Sequence, residues 1–146
     1  MQEAQDILLK YWKHESFRPL QKEIIDSVLE GHDTFALLPT GGGKSICFQV
    51  PTMMREGICL VISPLIALMK DQVANLQKRE IKAIALTGGI HTEEIIDLLD
   101  NCQYGNYKFL YLSPERLQSD WILERIKNLP ISFIAIDEAH CVSQWG

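Results

Sequence analysis

Five short apolar segments recur along the chain at nearly even intervals. Their first residues lie 24 to 26 positions apart. Each segment is continuously apolar rather than alternating, which is typical of strands buried on both faces of a sheet. We therefore predict five strands, at Thr34–Leu38, Ile58–Ser63, Ala83–Leu86, Phe109–Ser113 and Phe133–Asp137.

The segments between these strands have the spacing of amphipathic helices. After the second strand, one apolar face is predicted to pack in the core, formed by Leu65, Leu68, Met69, Val73 and Leu76. After the third, Thr92 is the predicted N-cap of a helix with an acidic first turn. Two further helices are predicted near Ala4–Lys13 and Pro19–Glu30, before the first strand.

Strand, helix and strand at a steady interval indicate parallel βαβ units. The predicted fold class is α/β, an open parallel sheet with helices on both faces, in a single domain over residues 1–146. The chain ends soon after the fifth strand, which we interpret as a truncation.

Composition adjusts this interpretation only slightly. The 47% of apolar and 23% of charged residues are typical of a soluble globular domain. A net charge of −5 argues against a surface that binds nucleic acid everywhere, but it allows a local basic groove. No apolar stretch approaches the roughly 18 residues of a membrane span, and no C-x-x-C pair indicates zinc.

A glycine-rich loop follows the first predicted strand and opens a helix. Glycines allow backbone N–H groups to approach phosphates, and the helix N-terminus adds a positive dipole end. In this loop the lysine would reach the β- and γ-phosphates and the serine would ligate Mg²⁺. A glycine-rich turn with an incidental lysine is the alternative. The loop residues are Thr40, Gly41, Gly42, Gly43, Lys44 and Ser45.

The loop has two unusual neighbours. Leu38 stands where the general phosphate-loop pattern has glycine. Pro51 lies six residues after Ser45, and we predict that it kinks or ends the helix there.

Two carboxylates end the fifth predicted strand. Asp137 is placed to hold Mg²⁺, and Glu138 to orient and deprotonate an attacking water. A solvated acidic strand end is the alternative for this motif alone. His140, two residues on, is predicted to couple the site through hydrogen bonds rather than to bind metal.

The T-G-G-G-K-S and D-E-A-H motifs, in this order on a parallel sheet, resemble those of superfamily 2 helicases. Three blocks are similar to the RecQ-type DNA helicases in particular: Phe17–Gln21, Ser63–Gln72 and Asp137–Gly146. The resemblance implies the N-terminal part of a first RecA-like lobe, truncated, in a motor that couples ATP hydrolysis to 3′-to-5′ DNA unwinding. It implies ATP and Mg²⁺ as cofactors, and single-stranded DNA and duplex junctions as partners, with a second RecA-like lobe outside this chain.

The resemblance also implies roles for residues before the phosphate loop. Gln21 would recognise adenine, because a side-chain amide both donates and accepts hydrogen bonds. Arg18 would help to fix the nucleotide, and Phe17 would pack near the base. Core packing of Phe17 and a solvated position for Gln21 are the alternatives.

Further residues are implied as DNA contacts. Ser63 and Lys70 belong to the second block, and Thr87 and Gly88 follow the third strand. The remaining two are Arg116, which follows the fourth strand, and Trp145, which would stack on an unpaired base. Solvated or ion-paired positions are the alternatives for Lys70 and Arg116, and burial is the alternative for Trp145.

Two other functions stay open: an RNA-directed DEAH or DEAD-type ATPase, and a nucleotide-binding module without turnover. The resemblance implies a cytoplasmic location at the nucleoid in a prokaryote and a nuclear one in a eukaryote, with no membrane association. It leaves the oligomeric state unassigned.

Since the second lobe would supply arginine fingers, worth roughly 10³–10⁵ in rate, we predict that the 146-residue chain alone hydrolyses ATP feebly and does not unwind DNA. An unwinding assay on the purified chain tests this. Robust strand separation would contradict it.

Overall fold

The computed structural model of the chain describes residues 4–17, 21–29, 46–86 and 91–136. The chain divides into two compact units, Met1–Glu56 and Gly57–Gly146. The predicted strand Thr34–Leu38 lies outside the described residues. The assignment of the whole chain to one domain stays a prediction.

The first unit is helical in its described part. Helix α1 covers Ala4–Ile7 and continues as a π-helical turn over Leu8–Trp12. The chain leaves this helix at Lys13, which has a left-handed φ of 61°. The helix predicted near Ala4–Lys13 is thus confirmed. Helices α2 and α3 follow at Gln21–Leu29 and Ile46–Met54.

Pro51 does not end its helix, and a kink at this position stays a prediction. Helix α3 runs three residues further, to Met54. Proline removes one backbone donor, but Pro51 and its neighbour Val50 are buried, so packing holds this turn in place. The Thr52 hydroxyl also donates to the Phe48 carbonyl at 2.8 Å within the same turn.

The second unit alternates strands and helices. Its elements are β1 at Ile58–Ile62, α4 at Ile66–Lys78, β2 at Ala83–Leu86, α5 at Thr92–Tyr104, β3 at Phe109–Leu112, a 3₁₀ turn at Pro114–Gln118, α6 at Asp120–Lys127 and β4 at Ile131–Ile136. All observed pairs are parallel, in the spatial order β2-β3-β1-β4. No helix in the described ranges is long and apolar enough to cross a membrane.

Helices cover both faces of this sheet, as predicted. On one face, alternate residues of β1, β2 and β3 join α5 and α6 in a single apolar cluster that includes Leu60, Leu110, Leu99 and Ile126. On the other face, α4 packs against β2 and β3. Its buried residues Met69, Val73 and Leu76 recur at helical spacing.

Two details of the helices differ from the sequence-based predictions. The N-cap of α5 is His91, with extended backbone, and Thr92 is the first helical residue. Leu65 is 47% exposed rather than in the core. Leu65 precedes the first turn of α4 and itself has extended backbone, so the helical spacing that placed it on the buried face does not apply there.

Strand β4 differs most from its prediction. It begins at Ile131, two residues early, and its residues alternate between half-buried and exposed, with Ile134 64% exposed. The pairing with β1 skips Ser132, so this residue forms a bulge. After the bulge, Ile134 lies beside Leu60 at the edge of the described sheet, outside the apolar cluster of α5 and α6.

Gly57 allows β1 to begin close to β4. Its φ is 104°, in the region that favours glycine. A Cβ atom there would lie 2.7 Å from the Pro130 carbonyl oxygen, which accepts the first hydrogen bond of β1, from the Ile58 N–H at 2.8 Å. The segments that lead into β1 and β4 therefore approach so closely at Gly57 that a residue without a side chain is required there.

We expect Leu99→Ala to lower the free energy of unfolding of the chain by about 2–5 kcal/mol, because Leu99 is only 2% exposed and the change leaves a cavity. Urea denaturation measures this. The matched control is Leu9→Ala, at a position 51% exposed, which should cost much less. Equal losses at the two positions would contradict the described core.

Candidate functional site

The carboxyl ends of the four strands lie in one row. Leu86 pairs with Leu112, Leu112 with Ile62, and Ile62 with Ile136. Neighbouring strands are about 4.8 Å apart, so the row is roughly 14 Å long. The next residue is a predicted site residue in three strands, Thr87, Ser63 and Asp137. In the fourth it is Ser113, three residues before the predicted site residue Arg116.

Parallel strands thereby bring separate sequence motifs to one edge of the sheet, where open α/β sheets bind ligands. We call the turns that leave these strands the carboxyl edge. The described part of the carboxyl edge consists of the turn at Ser63, the start of α4 and the turn at Ser113–Gln118. Thr87, Gly88 and Asp137 lie outside the described residues.

Ser63 lies between β1 and α4 and takes part in two hydrogen bonds, one to β3 and one within the turn before α4. Its N–H donates to the Leu112 carbonyl at 3.0 Å, continuing the ladder between β1 and β3. Its hydroxyl accepts from the Leu65 N–H at 3.2 Å, which closes the turn before α4. Ser63 is only 1% exposed, so its described role is to shape this turn. Its contact with DNA phosphate stays a prediction.

One side of the start of α4 is exposed. Lys70 is exposed and follows the buried Met69. Leu65 and Ile66 are 47% and 42% exposed, so the start of this helix also presents aliphatic surface at the carboxyl edge. The position of Lys70 is compatible with a phosphate contact, which stays a prediction.

Arg116 lies on the 3₁₀ turn that leaves β3. Its N–H donates to the Ser113 carbonyl at 3.1 Å, which folds the turn back onto the end of the strand. The side chain is half-buried. The structure therefore brings Arg116 to the same edge as Ser63, on the neighbouring strand, although 53 positions separate them in the sequence.

Sequence reasoning missed one side-chain contact near this edge. The Tyr111 hydroxyl donates to Gln72 Oε1 at 2.7 Å, linking β3 to α4. Tyr111 is 1% exposed. The available signal was a tyrosine inside a continuously apolar strand, because a buried tyrosine hydroxyl usually has a hydrogen-bond partner.

The predicted nucleotide site falls mostly outside the described residues. Phe17 is half-buried, and Gln21 is the first residue of α2. The others lie outside the described ranges: Arg18, Thr40, Gly41, Gly42, Gly43, Lys44, Ser45, Glu138 and His140, together with the DNA candidate Trp145. The roles of all these residues stay predictions.

Two cysteines are unsuited to nucleophilic chemistry at neutral pH. Burial raises the pKa of the Cys47 thiol to about 11 and that of the Cys102 thiol to about 12. The reactive species is the thiolate, so both groups are unreactive packing residues.

Comparison with known proteins gives a consistent result. The DEAD/DEAH box helicase family matches residues 18–146. A probable ATP-dependent DNA helicase RecS of Bacillus subtilis is 48% identical over 147 aligned residues, which cover 100% of this chain and 29% of that protein. An ATP-dependent DNA helicase RecQ of the same organism is 45% identical, over 98% of this chain and 24% of that protein.

A solved structure of similar fold is that of the DUF1998 helicase MrfA bound to DNA and AMPPNP. It matches with a TM-score of 0.78 and 21% identity, over 96% of this chain and 22% of the MrfA chain. The chain thus spans less than a third of the curated relatives described above.

We expect Ser63→Ala to lower the free energy of unfolding of the chain by about 1 kcal/mol, because the Leu65 N–H loses its acceptor. Urea denaturation measures this. The control is Ser119→Ala, since Ser119 precedes α6 without a side-chain capping hydrogen bond. A Ser63→Ala variant as stable as the control would show that this hydroxyl does not hold the turn.

Proposed function

The chain belongs to the DEAD/DEAH box helicase family, and on that premise we propose that it is the ATP-binding part of the motor of a RecQ-type 3′-to-5′ DNA helicase. The observation that carries this proposal is identity of 48% and 45%, over essentially the whole chain, to two proteins named as ATP-dependent DNA helicases. The intact protein would hydrolyse ATP to ADP and phosphate and couple this to strand separation.

The nucleotide would bind at the loop around Lys44. Its ammonium would contact the β- and γ-phosphates, while Ser45 and Asp137 would hold Mg²⁺, which neutralises phosphate charge. Glu138 would accept a proton from the attacking water. The pairing of Ile136 with Ile62 supports this arrangement, because it directs the strand that precedes Asp137 to the carboxyl edge.

Recognition of the base would come from the segment before the phosphate loop. Gln21 would hydrogen-bond to adenine, Arg18 would contact the nucleotide, and Phe17 would pack beside the base. Support for these roles is the likeness of Phe17–Gln21 to the corresponding RecQ motif. His140 would connect this nucleotide site to the DNA site by hydrogen bonds.

DNA would bind along the carboxyl edge. Ser63, Lys70 and Arg116 lie on elements that leave adjacent strands there, which supports a continuous path for a phosphate backbone. Thr87 and Gly88 would extend this path beyond β2, and Trp145 would stack on a base. A second RecA-like lobe, outside this chain, would complete the cleft.

We predict that Glu138→Gln in the intact protein lowers the DNA-stimulated kcat for ATP hydrolysis by roughly 10²–10⁴-fold while nucleotide binding is retained, because the variant keeps its size but cannot accept the proton. Steady-state ATPase assays and nucleotide titration measure the two effects. The matched control is Glu124→Gln, the same change on α6 at a side chain 71% exposed, which should leave kcat unchanged.

The same assays with single-stranded DNA and with RNA decide between a DNA helicase and an RNA-directed ATPase. Stimulation by DNA supports the proposal. Equal or greater stimulation by RNA would overturn it, and so would a Glu138→Gln variant with wild-type turnover.

A further inference from the structure

The hydrogen bond between Tyr111 and Gln72 joins two elements that are separate in sequence. Tyr111 is on β3, Gln72 is in the middle of α4, and 39 positions separate them. At 2.7 Å the contact has the usual length of a hydrogen bond from a hydroxyl donor to an oxygen acceptor. The tyrosine is 1% exposed and Gln72 is half-buried, so the tyrosine hydroxyl is largely shielded from water, and an unpaired polar group in such a place is costly.

Side-chain hydrogen bonds attach α4 to the sheet at two strands. Near the end of the helix, Gln77 Nε2 donates to the Ala83 carbonyl of β2 at 3.1 Å. In the middle of the helix, Gln72 accepts from Tyr111 of β3. The described apolar packing of Met69, Val73 and Leu76 has no preferred direction and permits sliding more readily than a hydrogen bond does. The Tyr111 bond therefore restricts the rotation of α4 relative to β3.

This bond connects the parts of the carboxyl edge that are predicted to contact DNA. Lys70 is two residues before Gln72 and therefore lies about 200° from it around the helix axis. If α4 rotated about this axis, Lys70 and Gln72 would move in opposite directions. Leu112, next to Tyr111, accepts the Ser63 N–H at 3.0 Å. The 3₁₀ turn that carries Arg116 begins two residues after Leu112.

We propose that Tyr111 is a positioning residue for DNA binding: its hydrogen bond to Gln72 holds α4 and the end of β3 in one fixed arrangement, so that Ser63, Lys70 and Arg116 meet the same strand together. Tyr111 is buried, so it acts through these residues rather than by touching DNA. The inference rests on the proposed function of the carboxyl edge in DNA binding.

The test is Tyr111→Phe in the intact protein, which removes one oxygen and keeps the ring. We expect the DNA concentration for half-maximal ATPase stimulation, and the Kd for single-stranded DNA, to rise roughly 2- to 12-fold, the range given by one hydrogen bond of ordinary strength. The ATPase rate without DNA and the KM for ATP should not change. If Tyr111 had a purely structural role, the variant would have a lower Tm, but its Kd for single-stranded DNA and the DNA concentration for half-maximal stimulation would be unchanged.

The matched control is Tyr107→Phe. Tyr107 is half-buried, precedes β3 at the opposite end of the strand, and its ring lies 5.6 Å from the Lys82 ammonium. Loss of its hydroxyl should leave DNA affinity unchanged. A weakening as large as that of Tyr111→Phe would overturn the proposal, because the effect would not depend on the bond to α4.

A second variant keeps the proposal testable if Tyr111→Phe folds poorly. Gln72→Met removes the acceptor at similar length and should also weaken DNA binding. Adding Tyr111→Phe to Gln72→Met should then cost no further affinity, since the shared bond is already lost. Additive losses, or wild-type DNA affinity in both single variants, would overturn the inference. An intact wild-type protein that DNA does not stimulate would instead refute the proposed function.

Discussion

The parallel pairing of β1 with both β3 and β4 determines where the core and the candidate site form. Each pair is parallel, so the backbone ladder places Ile62 between Leu112 and Ile136. The same ladder brings turns from distant parts of the sequence to one edge. A slip by one residue would turn apolar side chains to the opposite face and displace every one of these turns. Register therefore decides both the core and the location of the candidate site.

Apolar packing and polar contacts contribute differently to this arrangement. The cluster beneath α5 and α6 buries aliphatic side chains on one face and supplies much of the stability. The ion pair of Arg125 with Asp100, at 3.0 Å between α6 and α5, is nearly half exposed and adds about 0–1 kcal/mol. On the other face, the bond of Tyr111 to Gln72 adds direction, which apolar contact alone does not supply.

Local features of the chain explain which predicted elements match the structure and which do not. Strand β2 was predicted at its observed bounds, because its apolar run ends sharply on both sides. Strand β4 was placed two residues late, because the polar Ser132 forms a bulge that no periodicity indicates. Leu65 was assigned to the core by extending a helical pattern one residue too far. Of the two effects predicted for Pro51, a kink or an end of the helix, the structure excludes the end, because α3 continues to Met54.

Local apolar patterns and short connections were enough to predict the order of strands and helices, their parallel sense and the motifs that stand at strand ends. Only the tertiary structure decided the spatial order β2-β3-β1-β4, the burial of Ser63 and the hydrogen bond across 39 positions from Tyr111 to Gln72. The reason is physical: pairing and burial depend on neighbours far along the chain, whose approach a local pattern does not encode.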